Sequence, residues 1–215
     1  MTAGRGARGS AAAATLSALM VVGVALAEGT SDCDNCRLLT EEAASVIAVI
    51  DSAAVESSTV GASSSRTIVR MWRLVNSVPS VFLEVTIEPE VATGSVYLYW
   101  PRHTPTALAA EEIANRDYAV IRTVRSDRYC VAEIGPPPDL MWAQEWQRLH
   151  EARVMDLPCV QTTTSTGGVF FVEVLGRESR RYFYPLRLKE GTAETKAAER
   201  VMQAFDRLIV ACRKK

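Results

Sequence analysis

VFLEVTIE, residues 81–88, indicates the fold class of this chain because its side chains alternate between two faces. One face is wholly apolar (Val81, Leu83, Val85 and Ile87), and the other is mixed (Phe82, Glu84, Thr86 and Glu88). A period of two with one apolar face is typical of a β-strand that covers a core. The flanking stretches TIVRMWRLV, residues 67–75, and SVYLYW, residues 95–100, predict two further strands.

Helical spacing of apolar residues predicts helices at both ends of this strand region. The first covers residues 38–56 with Thr40 as its N-cap, and the last covers residues 192–215. Two more helices are predicted at 105–116 and 140–154, and strands at 118–124, 128–134, 169–176 and 180–188. We therefore expect an α+β fold, in which an antiparallel sheet packs against the N-terminal and C-terminal helices.

An internal similarity suggests a duplication. VFLEV followed by YLYWP recurs as FFVEV followed by YFYP, so Glu84 matches Glu173 and Pro101 roughly matches Pro185. Each strand pair has a helix before and after it, which predicts two related helix–hairpin–helix halves, residues 38–116 and 139–213. Chance is the preferred explanation of the similarity, because strands draw on few residue types, and the duplication is the alternative.

The first 27 residues have the composition of an export signal. Arg5 and Arg8 precede an apolar run of 17 residues that ends in the small-x-small pattern Ala25-Leu26-Ala27. This predicts a Sec-type signal peptide, residues 1–27, cleaved after Ala27 to leave one domain, residues 28–215, in the periplasm or outside the cell. The run is shorter than the roughly 20 residues that span a bilayer, so no membrane span is expected after cleavage.

Charge argues against a nucleic-acid partner. The chain has 24 basic and 25 acidic side chains, and loss of Arg5 and Arg8 would make the net charge about −3. Nucleic-acid binding needs a basic surface, which this balance does not supply. The glycine-containing stretch TTTSTGG, residues 162–168, lacks the lysine of a phosphate-binding loop, and no other motif predicts a cofactor.

SDCDNCRLL, residues 31–39, places Cys33 and Cys36 in a C-x-x-C close to the predicted mature N terminus. A redox pair, half of a metal site and anchors for structural disulfides are the three possible roles. The flanking aspartates disfavour a thiolate, and neither histidine is spaced as a second pair of zinc ligands. We favour disulfides, since an exported chain meets an oxidising compartment. The candidates are Cys33, Cys36, Cys130, Cys159 and Cys212, and spacing does not fix their pairing.

The sequence identifies no catalytic residue. Two facing carboxylates can hydrolyse glycosides, but alternation predicts that Glu84 and Glu173 lie on the solvated faces of their strands. No serine lies in a G-x-S-x-G elbow. An envelope hydrolase or a thiol-disulfide enzyme with an unrecognised site stays the alternative to a non-enzymatic protein.

Two clusters of aromatic and basic residues favour a binding surface. They lie in YLYWPRH, residues 97–103, and RRYFYPLR, residues 180–187. Tyrosine, tryptophan and arginine are enriched among residues that supply binding energy at interfaces. The candidates are Tyr97, Tyr99, Trp100, Arg102, His103, Arg181, Tyr182 and Tyr184. The preferred explanation of each cluster alone is that one face of the strand belongs to the core and the rest is ordinary solvated surface. Together with the lack of a catalytic motif, the clusters nevertheless favour a binding protein that acts through a protein or another partner in the cell envelope.

The segment from Trp146 to Leu188 resembles small exported bacterial proteins of unassigned activity. In them a tryptophan-containing helix leads to Leu-Pro, then to a glycine-marked turn and a strand that ends in Val-Glu-Val. The resemblance covers about a fifth of the chain and supports the fold prediction. It implies no activity, cofactor or site residue.

Overall fold

The computed structural model describes residues 34–54, 66–74, 79–157, 168–176, 180–186 and 193–215. Side chains are described from Leu39 to Asp51 in the first helix and from Thr195 onwards in the last. The predicted signal peptide, most of the stretch 162–168, and the side chains of Cys33, Cys36 and Cys159 lie outside this description.

Helices alternate with groups of two or three strands along the described chain. The helices are α1 (Asp34–Ala54), α2 (Ala107–Asp117), α3 (Trp142–Glu151) and α4 (Ala193–Ala211). The strands are β1 (Thr67–Leu74), β2 (Ser80–Ile87), β3 (Ala92–Pro101), β4 (Val120–Arg125), β5 (Tyr129–Ile134), β6 (Val169–Leu175) and β7 (Arg180–Pro185). A short 3-10 turn, Val154–Asp156, follows α3.

The described strands form one antiparallel sheet of seven strands, in the order β4-β5-β3-β2-β1-β6-β7. Helices α1 and α4, at the two ends of the described chain, both pack on it. The predicted α+β class, with an antiparallel sheet between N-terminal and C-terminal helices, is therefore confirmed. Helix α1 begins at Asp34, four residues before the predicted start, so Cys36 belongs to its first turn and Thr40 is not its N-cap.

Both faces of the sheet are covered, whereas the sequence predicted one core face and one solvated face. Helices α2, α3 and α4 contribute to the larger core, which includes Val81, Leu83 and Val85 of β2. Helix α1 covers a second core on the opposite face, where Phe82 is fully buried. Large aromatic side chains at alternate positions therefore mark the α1 face, which a simple apolar-polar alternation does not reveal.

Glu84 and Glu173 share the α1 face with this second core, but in a different row of the sheet. Arg70 of β1 is the direct cross-strand neighbour of both residues, with Glu84 on β2 and Glu173 on β6. Glu173 also faces Arg181 on β7. The prediction that both carboxylates are solvated is wrong for Glu173, which is 4% exposed, because an ion pair with Arg181 on the neighbouring strand replaces water.

The two hairpins that share a sequence pattern lie on opposite sides of β1 in the same sheet. The β2–β3 hairpin pairs with β1 through β2, and the β6–β7 hairpin pairs with β1 through β6. The one glutamate of β2 and the one glutamate of β6 are therefore both cross-strand neighbours of Arg70. The duplication itself stays a prediction, since similar placement also follows from sheet geometry alone.

On the larger core, α3 lies directly over β3. The ring of Trp142 is so close to Gly94 that a Cβ atom at this position would be 2.5 Å from the ring. Glycine at residue 94 thus lets the tryptophan lie flat on the strand. This close approach positions the C-terminal part of the described chain, because α3 in turn contacts α4.

The second core is built on an aromatic stack. The rings of Trp72 and Phe82 are stacked with centroids 3.8 Å apart, and Phe82 also stacks on Tyr97. Val46 of α1 is fully buried against this layer, together with the other inward residues Ala43, Val49 and Ile50. Small side chains on the helix thus match large rings on the sheet.

One polar contact is built into this seam between α1 and the sheet. The hydroxyl of Tyr99 donates to a carboxylate oxygen of Glu42 on α1, 3.2 Å away. Burial raises the pKa of Glu42 above its usual value, and the Tyr99 hydrogen bond only partly offsets this. The pKa of Tyr129 is also raised, by burial and by the charge of the same carboxylate.

We expect Glu42→Gln to stabilise the protein at pH 7. A raised carboxyl pKa in the folded state favours the protonated form, so this stabilisation is complete in acid and is lost as the pH rises above 4.5 towards the folded pKa. Glutamine keeps an acceptor for Tyr99 and carries no charge. Urea denaturation at pH 4 and pH 7 should show a higher midpoint for the variant at pH 7 only.

The control for this prediction is Glu41→Gln, because Glu41 is the exposed neighbour on the same helix. It removes the same charge without relieving a buried one. An equal gain in both variants would mean that overall charge, and not burial of Glu42, is responsible.

Candidate functional site

A cleft of about 550 Å³ lies between α2 and α4, above β2 and β3. Its apolar floor is formed by Val81 and Leu98, which are buried, and by the half-buried Leu186 and Met202. Ile113 of α2 lines the rim and is 42% exposed. This volume lies in the usual range for ligand sites, and an apolar floor with a few polar groups is their usual composition.

One end of the cleft is formed by an ion pair between β1 and α4. Arg73 Nη1 donates to Asp206 Oδ1 at 2.6 Å, and both side chains line the cleft. The Nε of Arg73 is buried and has no hydrogen-bond acceptor in the part of the chain that the structure describes. The guanidinium is thus held mainly from one side, by the carboxylate of Asp206.

The other end is formed where the last residues of α2 and α4 meet. Arg213 Nε donates to the hydroxyl of Tyr118 at 3.3 Å, and its guanidinium lies 5.9 Å from the centre of the Tyr118 ring. This hydrogen bond raises the pKa of Arg213, and the carboxylate of Asp117 adds to the effect. The backbone N–H of Lys214 donates to the carbonyl of Asp117, so the two chain segments are tied together.

The wall of the cleft on α4 contains two polar side chains without a hydrogen-bond partner in the described chain. Glu199 and Gln203 lie one helical turn apart on α4, and their side chains make no hydrogen bond or ion pair within the described ranges. Both arginines of the cleft already have partners. The cleft therefore presents a free carboxylate and a free carboxamide above an apolar floor.

The eight predicted binding residues do not form one surface. Tyr97 and Tyr99 are buried beneath α1, whereas Trp100, Tyr182 and Tyr184 are buried in the larger core. The other three, Arg102, His103 and Arg181, are exposed. The expected exposed aromatic surface is thus absent from the described chain, because the apolar rings were needed in the two cores.

The described cysteines are buried free thiols. Burial raises the pKa of Cys130, and burial with the nearby carboxylate of Glu145 raises the pKa of Cys212 to about 11. Such thiols are poor nucleophiles at neutral pH, because little thiolate is present. The disulfides predicted among the five cysteines stay a prediction, since Cys33, Cys36 and Cys159 are not described.

The two candidate catalytic carboxylates are held by arginines. Arg70 Nε donates to Glu84 Oε2 at 2.8 Å, and Arg181 Nε donates to Glu173 Oε1 at 3.2 Å. A carboxylate that accepts a hydrogen bond from a guanidinium in this way is already engaged and is not free to contact a substrate. Among the described residues, no group of three or more acidic, histidine or cysteine side chains could hold a metal ion.

The sequence does not predict which residues line the cleft, because they are far apart in the chain. Arg73 comes from β1, Ile113 from α2, and Glu199 from α4. One signal was present on α4, where Glu199, Gln203 and Asp206 recur at helical spacing beside the apolar stripe. A row of polar residues on a helix usually faces solvent. Here the row on α4 lines a cleft because α2 lies opposite it.

No protein-family model matches this chain, and neither a curated protein nor a solved structure shows significant similarity to it. Within the described residues, no helix has both the length and the apolar character that crossing a membrane would require.

Proposed function

We propose that this chain is an exported, non-enzymatic binding protein that recognises a protein partner of the cell envelope through the α2–α4 cleft. The observation that carries the proposal is the cleft itself. It combines a floor that reaches the core with Glu199 and Gln203, whose polar groups have no partner within the described chain. Uncommitted polar groups over an apolar floor are the composition of a recognition site.

The state of the reactive groups supports binding over catalysis. The thiols of Cys130 and Cys212 are buried with raised pKa values, and Glu84 and Glu173 are ion-paired. His103 and His150 are exposed, and the ring of His150 contacts Trp146 edge-on. None of these groups has the neighbours that activate a nucleophile or a general base. Export to the periplasm or beyond rests on the signal-peptide prediction for residues 1–27.

The test is site-specific photo-cross-linking in the cell envelope. A benzoylphenylalanine at Gln203, inside the cleft, is expected to give a discrete cross-linked product with another protein. The same photoreactive residue at Arg207, which is exposed on α4 and does not line the cleft, is the matched control. Ile113→Glu, which places a charge at the rim, should remove the product formed from residue 203.

Two outcomes would contradict the proposal. One is the absence of any product from residue 203. The other is the same products from residues 203 and 207, which would mean that α4 is merely accessible and that the cleft has no specific occupant.

A further inference from the structure

We propose that the occupant of the α2–α4 cleft is an extended peptide segment that pairs an apolar side chain with a basic one. The apolar side chain would contact Met202 on the floor and Ile113 at the rim, and the lysine or arginine would face Glu199. This inference rests on the binding role proposed above and adds the chemistry of the partner.

The charges of the cleft select a basic segment. Three carboxylates, on Asp117, Glu199 and Asp206, line the cleft together with two guanidinium groups. The charge of Arg73 is offset by Asp206 and that of Arg213 by the nearby carboxylate of Asp117, which leaves the charge of Glu199 in excess. An acidic ligand would meet the free carboxylate of Glu199, whereas a cationic side chain would neutralise it. Charge complementarity of this kind determines which partners are rejected.

The floor of the cleft selects an apolar side chain beside the basic one. Val81 and Leu98 are nearly fully buried and underlie the floor, so its accessible apolar surface comes from the half-buried Leu186 and Met202. Met202 adds an unbranched thioether side chain, which adapts its shape to different apolar partners. Ile113, exposed at the rim, would lose solvent contact when the cleft is filled. A purely polar cation would leave this surface in water.

The carboxamide of Gln203 selects a peptide over a simple amine. Its amide N–H₂ donates and its carbonyl oxygen accepts, so it can bond both the C=O and the N–H of a peptide unit. It lies one helical turn from Glu199, which is about 6 Å. An extended peptide advances by about 3.3 Å per residue, so alternate residues of the segment match this spacing.

The inference is tested with two synthetic peptides of opposite charge. Acetyl-Lys-Leu-Leu-Lys-amide and acetyl-Glu-Leu-Leu-Glu-amide have the same apolar centre. In a ¹⁵N NMR titration of the exported protein, the basic peptide should shift the amide signals of residues 199–206 and Ile113 in a saturable manner. Its dissociation constant should be about two-fold to five-fold lower than that of the acidic peptide, as expected for one partly exposed ion pair.

The variants Glu199→Gln and Glu112→Gln separate a local effect from overall charge. Glu112 is exposed on α2 and does not line the cleft. Glu199→Gln should abolish the preference for the basic peptide, and Glu112→Gln should leave it unchanged. Equal affinity of the unchanged protein for both peptides, or shifts confined to other residues, would overturn the inference. If the cross-link from residue 203 persists in that case, the binding role stands and only the chemistry of the occupant is wrong.

Discussion

Arg70→Met is expected to lower the free energy of unfolding by about 2–4 kcal/mol at pH 7. Arg70 lies between two carboxylates, Glu84 on β2 and Glu173 on β6, in one row of the sheet. Arg70 Nε donates to Glu84 Oε2 at 2.8 Å, and the two side chains are 17% and 25% exposed, so loss of the guanidinium leaves the largely buried carboxylate of Glu84 without its ion-pair partner. Removing one member of a buried ion pair is costly because the other charge stays out of water.

Urea denaturation at pH 7 measures this effect, and the double variant Arg70→Met/Glu84→Met identifies its cause. The double variant leaves no unpaired carboxylate at this position, so it should lose less stability than Arg70→Met alone. Arg116→Met is the control, because Arg116 pairs with Glu112 on the surface of α2, where the two side chains are 78% and 74% exposed. An exposed pair of this type contributes less than about 1 kcal/mol. Equal losses for Arg70→Met and Arg116→Met, or a double variant that loses as much stability as Arg70→Met, would contradict the explanation.

Val46→Asp is expected to detach α1 from the sheet while the opposite face stays folded. Val46 is fully buried against the layer that contains Trp72 and Phe82. An unpaired carboxylate there costs several kcal/mol, in addition to the roughly 1.5–3 kcal/mol that burial of the valine side chain contributes. The larger core shares no helix with this seam, since α2, α3 and α4 all pack on the other face. We therefore expect local, not global, unfolding.

Hydrogen exchange read by mass spectrometry distinguishes these two results. Peptides from α1 should lose protection by about 100-fold or more, which corresponds to a local loss of about 3 kcal/mol, whereas α4 should keep its protection. Ala44→Asp is the control, because Ala44 is exposed on the same helix. Global loss of protection in Val46→Asp would mean that the two cores fold as one unit. No change in α1 would mean that the helix is not held by Val46.

These two variants also bear on the proposed function, because both sites lie on the face opposite the cleft. The row of Arg70 and the seam of Val46 belong to the α1 face, whereas Leu98 and Met202 belong to the other. If α1 detaches locally, the affinity of the cleft for the basic peptide should be unchanged. The sheet would then separate a structural face from a binding face.

The sequence by itself determined the secondary structure of this chain. Alternation in VFLEVTIE and VFFVEVLG and helical spacing in the last segment identified strands and helices that the structure contains, with small shifts at their ends. These patterns are local, because a residue's face depends only on its position within a strand or helix. The α+β class followed from the order of the elements.

The tertiary structure alone decided which face of each strand meets which helix, and where polar groups gather. The sequence is compatible with Tyr97, Tyr99 and Tyr184 lying either on the surface or in a core. They lie in the two cores because helices cover both faces of the sheet. The cleft arises because α2 and α4, about 80 residues apart in the chain, end side by side at Tyr118 and Arg213. Such long-range contacts depend on how whole faces pack, and no local spacing in the sequence encodes them.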